Sequence, residues 1–66
     1  MTCQNLIEYY IVDRLRHKTY VPYVCMNKYL IAHSNIATET KPLIINYRLL
    51  IVGLKDRRYR LVKRNF

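Results

Sequence analysis

Apolar side chains recur along this chain with two different periods, and each period predicts a different element. Over residues 5–17, Ile7, Ile11 and Leu15 follow one another at intervals of four, which is the spacing of one helix face. The segment opens with an Asn followed three residues later by a Glu, the spacing of a capping box at a helix start. We therefore predict an amphipathic helix over 5–17.

The next segment changes to strand chemistry. Residues 19–26, TYVPYVCM, are β-branched or aromatic at most positions and predict a strand. Pro22 lacks a backbone donor, which places this strand at an edge or a bulge. Residues 27–34 fit either a short strand or a helical turn. Residues 35–42, NIATETKP, have few large side chains and end at a proline, which predicts a loop.

The third apolar segment covers residues 43–52, LIINYRLLIV, with only Asn46 and Arg48 interrupting it. As a helix it would be apolar on every side, whereas as a strand the two polar residues share one face. Gly53 then opens a turn, and Tyr59 and Leu61 after it alternate with Arg58, Arg60 and Val62. A strand–turn–strand hairpin accounts for both segments and is favoured over a helix.

Together these elements predict an α+β fold in one domain, residues 1–66. One N-terminal helix packs on a small antiparallel β-sheet with a C-terminal hairpin. With 66 residues, a chain of this kind buries only about 60% of its unfolded surface. Most of its seven tyrosines are expected at the rim of the small core.

The positive charge of the chain indicates that it binds a negatively charged partner. The net charge is +8, and it is uneven along the chain. Residues 1–54 have six basic and three acidic side chains, whereas residues 55–66 have six basic and one acidic. Such a positive field attracts nucleic acid or anionic membrane. Arginine suits phosphate because its planar fork donates two hydrogen bonds at once.

We therefore predict a nucleic-acid interface, with RNA favoured over DNA. Lys and Arg of the C-terminal segment form its main part, and basic residues nearer the N-terminus form a second patch. The predicted RNA-binding residues are Arg14, Arg16, Lys18, Lys28, Lys55, Arg57, Arg58, Arg60, Lys63 and Arg64.

Other chemistry is sparse. The four acids are scattered and the single Gly cannot build a phosphate loop, so we predict a protein that is not an enzyme and has no cofactor. Cys3 and Cys25 do not have the spacing of a metal site with the two histidines, and no metal is predicted. Two buried thiols in a reducing, cytoplasmic compartment are favoured instead. The longest apolar runs are too short to span a membrane, and no membrane partner is predicted.

The order of these features resembles the eukaryotic large-subunit ribosomal protein family numbered thirty-eight. The similar parts are the stretch LIEYYIVDRLRHK, the pairs Asn27–Lys28 and Lys41–Pro42, Gly53, and YRLV at 59–62. The sequence departs from that family in lacking a C-terminal helix and in having less lysine-rich middle strands. The resemblance implies a structural constituent of the large ribosomal subunit that contacts rRNA phosphates and neighbouring ribosomal proteins.

A winged helix–turn–helix, as in small DNA-binding transcription regulators including viral ones, is the alternative. Residues 31–62 can be aligned to that pattern, with Ile31 opening the second helix, Thr38 capping the recognition helix and Gly53 leading into a wing. Asn35, Pro42 and Asn46 would then occupy positions that normally hold core aliphatic side chains. A third possibility is a protein-binding inhibitor or assembly factor that uses exposed Tyr and Arg.

Overall fold

Five antiparallel strands form one sheet in this protein, of which a computed structural model describes residues 2–34, 36 and 41–65. The strands follow the order β4-β3-β2-β1-β5 across the sheet. A 3₁₀ helix (Cys3–Glu8) precedes the first strand, and an α-helix, α1 (Tyr47–Lys55), joins the two edge strands. The strands are β1 (Tyr9–Asp13), β2 (Lys18–Met26), β3 (Tyr29–Ser34), β4 (Leu43–Asn46) and β5 (Tyr59–Lys63).

The helix predicted over residues 5–17 is wrong. The chain leaves the 3₁₀ helix at Glu8 and runs on as β1, which pairs with β2 on one side and β5 on the other. Ile11 and Asp13 both point to the buried side, which is a period of two rather than four. Aromatic and β-branched residues suit this central strand, and its two neighbours supply the backbone partners that outweigh a weak helix preference.

The hairpin predicted from residues 43–52 is also wrong. Only Leu43–Asn46 is extended, as β4, and the chain then turns into α1. The Asn46 side chain accepts a hydrogen bond from the Arg48 backbone N–H at 2.8 Å, which is the work of a helix N-cap. Gly53 lies inside this helix, buried, rather than in a turn.

The remaining strand predictions are confirmed. β2 covers the predicted strand, and a register shift between Pro22 and Val24 places the predicted bulge at its proline. Residues 29–34, which fit a strand or a turn, form β3. β5 lies where the returning strand is predicted, but its partner is β1. The predicted loop 35–42 falls largely outside the described residues.

One face of the sheet forms the core, and we call it the inner face. Ile11, Tyr20, Leu30 and Tyr59 are all less than 8% exposed there. The 3₁₀ helix covers this face through Leu6, and α1 covers it through Leu50. Because α1 contacts both edge strands, one short helix covers the gap between β4 and β5.

The two cysteines form a disulfide, so the prediction of free thiols is wrong. Cys3 in the 3₁₀ helix bonds to Cys25 in β2, with their Cα atoms 6.1 Å apart. A disulfide argues against the reducing compartment that the sequence suggested. It also attaches the 3₁₀ helix to the inner face of the sheet.

The fold is therefore an antiparallel sheet covered by two short helical segments, not an N-terminal helix packed on a sheet with a C-terminal hairpin. The winged-helix alternative is not observed either, since Ile31 lies in β3 instead of opening a helix. Thr38, the predicted cap of the recognition helix, lies outside the described residues. In the described part of the chain, no helix combines the length and apolar character needed to cross a membrane.

Candidate nucleic-acid interface

Two turns far apart in sequence meet at one end of the sheet. The first, residues 14–17, joins β1 to β2, and the second, residues 56–58, joins α1 to β5. The Arg14 backbone N–H donates to the Arg58 carbonyl at 2.9 Å. Antiparallel pairing of β1 with β5 produces this contact, because the end of one strand lies beside the start of the other.

The buried carboxylate of Asp13 holds both turns. Its Oδ1 accepts hydrogen bonds from the backbone N–H groups of Leu15 at 3.0 Å and Arg16 at 3.1 Å, which shapes the first turn as an Asx turn. Its Oδ2 lies 3.5 Å from a guanidinium nitrogen of Arg58 in the second. Asp13 is 1% exposed, so its carboxylate is buried behind the turns and does not belong to the exposed surface that their arginines form.

Sequence reasoning places Asp13 on the polar side of a helix and misses this role. The available signal is an aspartate directly after the aromatic and β-branched residues 9–12 and directly before Arg14. Aspartate at that position commonly accepts backbone hydrogen bonds from the turn that follows.

We call the cationic surface on these two turns the basic end. Arg14, Arg16 and Arg57 are exposed there, whereas Arg58 is half-buried beside Asp13. Two patches that the sequence treats as separate are thus one surface in the structure. In the part of the chain that the structure describes, the acidic residues at these two turns are Asp13 and Asp56. The basic end comprises Arg14, Arg16, Lys18, Lys55, Arg57 and Arg58.

Tyr59 packs directly behind the basic end. Burial raises the pKa of its hydroxyl above the ordinary value of 10.0. The neighbouring Arg58 acts to lower that pKa, and Asp13 acts to raise it. The Arg58 guanidinium lies 5.0 Å from the centre of the Tyr59 ring, a cation–π distance. The ring therefore supports Arg58 from the core side.

Other predicted cations lie elsewhere. Lys28 occupies the turn between β2 and β3, at the opposite end of the sheet from the basic end, and shares a shallow pocket with Arg48. Lys63 closes β5 at that same far end. The Arg64 guanidinium donates to the Ile7 carbonyl at 3.2 Å and lies 5.7 Å from the Tyr10 ring centre. These residues are not brought together with the basic end.

The second face of the sheet, which we call the outer face, is uncovered and apolar. Strand pairing places Tyr10 opposite Val62, Arg60 opposite Val12, and His33 opposite Val21, and directly opposed side chains share a face. Arg60 is thus the predicted cation that joins this face. The outer face comprises Tyr10, Val12, Thr19, Val21, Tyr23, Val24, Met26, Tyr29, Ile31, His33, Ile44, Asn46, Arg60 and Val62.

Three tyrosine rings on the outer face are exposed, whereas the other four tyrosines are buried or half-buried, as expected for the rim of a small core. Tyr10, Tyr23 and Tyr29 are 36%, 41% and 50% exposed. The Tyr23 ring stacks on His33, with ring centres 4.1 Å apart and planes 11° apart. The sequence offers its tyrosines as possible stacking surfaces for bases but favours the core for most of them, and it does not single out His33, because it does not show which face of each strand is covered.

An apolar cleft of about 340 Å³ opens beside the basic end, between β4, α1 and the start of β5. Leu43, Ile45 and Gly53 form part of its wall, and Arg16 and Arg58 stand among its lining residues. Among the described residues, no three metal-ligating side chains lie close enough together to hold a metal ion.

Comparison of the chain with known proteins found no matching family model, no matching curated protein and no matching solved structure.

Proposed function

We propose that this protein binds RNA and holds its phosphate backbone at the basic end. The observation that supports the proposal is the convergence of two arginine-rich turns around one buried carboxylate. Asp13 holds the backbone of the first turn and the Arg58 side chain of the second, so the backbone of the basic end needs little further ordering when a polyanion arrives. Planar guanidinium groups in this density are suited to phosphate oxygens.

The fold favours RNA over duplex DNA. Reading the major groove ordinarily uses an exposed helix or a two-stranded ribbon that enters it. Here α1 has nine residues and packs its Leu50 and Gly53 side into the core. Backbone contacts from the basic end would position a nucleic acid without reading its sequence.

A place in the large ribosomal subunit, beside rRNA and neighbouring ribosomal proteins, belongs to the same proposal. Its structural premise is weaker than the sequence suggests, since the N-terminal helix of the resembled family is replaced by β1. The Cys3–Cys25 disulfide argues against the reducing, cytoplasmic location that the sequence suggests. Sedimentation with ribosomal subunits after a high-salt wash, with thiol labelling of the same fractions, tests both.

Charge reversal at each end of the sheet tests the role of the basic end directly. The test variant combines Arg14→Glu with Arg57→Glu, and the matched control combines Lys28→Glu with Arg48→Glu. Both change the net charge equally, but only the first touches the basic end. The probe is a fluorescein-labelled 12-nucleotide single-stranded RNA, followed by fluorescence anisotropy.

The wild type should lose affinity steeply with salt, with a slope of about −0.7 per neutralised phosphate. The basic-end variant should bind at least about tenfold more weakly, with a shallower slope. The control variant should lose much less. Equal losses in the two variants would show that net charge alone attracts RNA, and salt-independent binding would contradict phosphate neutralisation.

A further inference from the structure

The outer face is a continuous surface that begins at the basic end. Arg60 lies two residues beyond Arg58 in β5, and its strand partner Val12 in turn pairs with Thr19. From there the face continues through Val21 and His33 across the middle of the sheet. A polymer held by phosphates at the basic end would thus meet this face without crossing another element.

The shape of the outer face is set by aromatic rings rather than by charged side chains. Tyr23 stands at the bulge in β2, and bulges redirect side chains out of the regular pleat. Its ring lies nearly parallel to that of His33, with ring centres 4.1 Å apart, so the two rings are stacked face to face and each has one flat side that the other does not cover. Tyr29, which is 50% exposed, is the first residue of β3 and shares this side of the strand with His33.

Charge on the outer face suits a polyanion. Asp13 is buried on the inner side of the sheet and Asp56 lies in the turn after α1, so neither carboxylate belongs to this face. Arg60 is exposed in β5, opposite Val12, which lies two residues along β1 from Tyr10. The Arg64 guanidinium lies 5.7 Å from the centre of the Tyr10 ring. Arginine at an aromatic ring can contact a phosphate or stack on a base while the ring accepts another.

We propose that unpaired bases of the bound RNA stack on the outer face. The Tyr23–His33 pair forms the principal platform, and Tyr10 with Arg64 forms a second one. This inference rests on the proposed function, in which the basic end holds the phosphates. It adds that the ligand is single-stranded, because a base paired in a duplex cannot offer its flat surface to a side chain.

A second copy of this chain is the competing occupant of such an apolar face. The net charge of +8 on each molecule opposes that pairing, since two like surfaces would approach with the same sign. The same charge favours a polyanion. The outer face therefore fits a nucleic acid better than it fits itself.

The experiment compares three probes of the same length: a single-stranded RNA, an abasic sugar–phosphate strand, and an RNA duplex. The test variant is Tyr23→Ala, with Tyr29→Ala as a second variant at another exposed ring. Leu49→Ala is the control, because Leu49 is 63% exposed and lies on α1 rather than on a strand of the outer face. Urea denaturation of each variant verifies that it is folded.

The wild type should bind the single strand more tightly than the abasic strand, by about 5- to 150-fold for each stacked base. Tyr23→Ala should lose at least about fivefold for the single strand and nothing for the abasic strand. Tyr29→Ala should also bind the single strand more weakly than the wild type does. Leu49→Ala should bind all three probes like the wild type.

Different failures contradict different statements. Equal affinity of the wild type for the single and abasic strands would overturn base stacking and leave phosphate binding at the basic end intact. The absence of binding to all three probes would overturn the proposed function and this inference with it. A dimer in sedimentation that Tyr23→Ala dissolves would assign the outer face to self-association and overturn the inference alone.

Discussion

The two faces of the sheet contain the same kinds of side chain but differ in how far these side chains are exposed to solvent. On the inner face Ile11, Tyr20 and Leu30 are at most 4% exposed, whereas on the outer face Tyr29 and Ile44 are 50% and 61% exposed. Aromatic and aliphatic residues line both. The difference lies in the 3₁₀ helix and α1, which cover only the inner face. Composition therefore does not show which face builds the core and which remains open for a partner.

We therefore expect the inner face to determine the stability of the protein and the outer face to serve binding. Side chains on the inner face are removed from water and should contribute most of the free energy of unfolding. Side chains on the outer face stay largely exposed, so their loss should change stability little. Three substitutions sharpen the comparison, in order of decreasing expected effect.

The largest loss of stability should come from detaching the 3₁₀ helix that covers the inner face. Replacing Cys3 and Cys25 together by Ser removes the bond between the 3₁₀ helix and β2. For a sequence separation of 22 residues, the loss should be about 3 kcal/mol. Urea denaturation followed by circular dichroism measures it. Dithiothreitol should destabilise the wild type by a similar amount and leave the double variant unchanged, whereas a wild type indifferent to reductant would contradict the disulfide.

The second-largest loss of stability should come from crowding the contact between α1 and β5. A Cβ atom built on Gly53 would lie 3.3 Å from the Tyr59 Cγ and closer to the ring's Cδ2 and Cε2. Gly53→Ala should therefore lower the free energy of unfolding by about 2–3 kcal/mol through overpacking. In an uncrowded helix the same change would raise it by about 0.5–1 kcal/mol, so the sign itself is diagnostic.

Val52→Ala is the matched control for Gly53→Ala. Val52 lies next to Gly53 on α1 and is 48% exposed, so its truncation should shift stability by less than about 1 kcal/mol. A Gly53→Ala protein as stable as the wild type would show that α1 does not rest on the Tyr59 ring.

The smallest effect should appear only at alkaline pH. Burial raises the pKa of Tyr59 above 10.0 in the folded protein, so the folded state keeps a proton that the unfolded chain loses. The stability tied to this proton is complete below about pH 10 and is lost as pH rises through the folded pKa. The wild type should lose more stability than Tyr59→Phe between pH 9 and 11. Parallel losses in both proteins would place the Tyr59 hydroxyl in water.

Prediction from sequence succeeds where a segment admits one arrangement. Residues 19–26 and 58–63 are rich in strand-forming side chains, and both contain strands. Asn46 and Gly53, by contrast, are taken as a strand residue and a turn, yet they become an N-cap and a close helix contact. Neither role can be predicted without the group that the residue contacts. That group is the Arg48 N–H for Asn46 and the Tyr59 ring for Gly53.

The candidate site shows the same division. Its cations, including Arg14 and Arg57, are recognisable from charge alone. Their convergence depends on β1 pairing with β5, because the predicted helix over 5–17 would have placed Arg14 on a different element. The exposed Tyr23–His33 platform depends on which face the helices cover, and local sequence does not contain that information.

The sequence by itself determined a strongly basic, apolar-rich chain of one small domain, with strand-forming segments and a cluster of cations near its C-terminus. Only the tertiary structure decided that residues 9–13 extend instead of coiling, that two arginine-rich turns share Asp13, and that the outer face stays open. The physical reason is that backbone pairing and burial are contacts between distant residues. Where a segment such as 5–17 fits two periods, its neighbours in space choose between them.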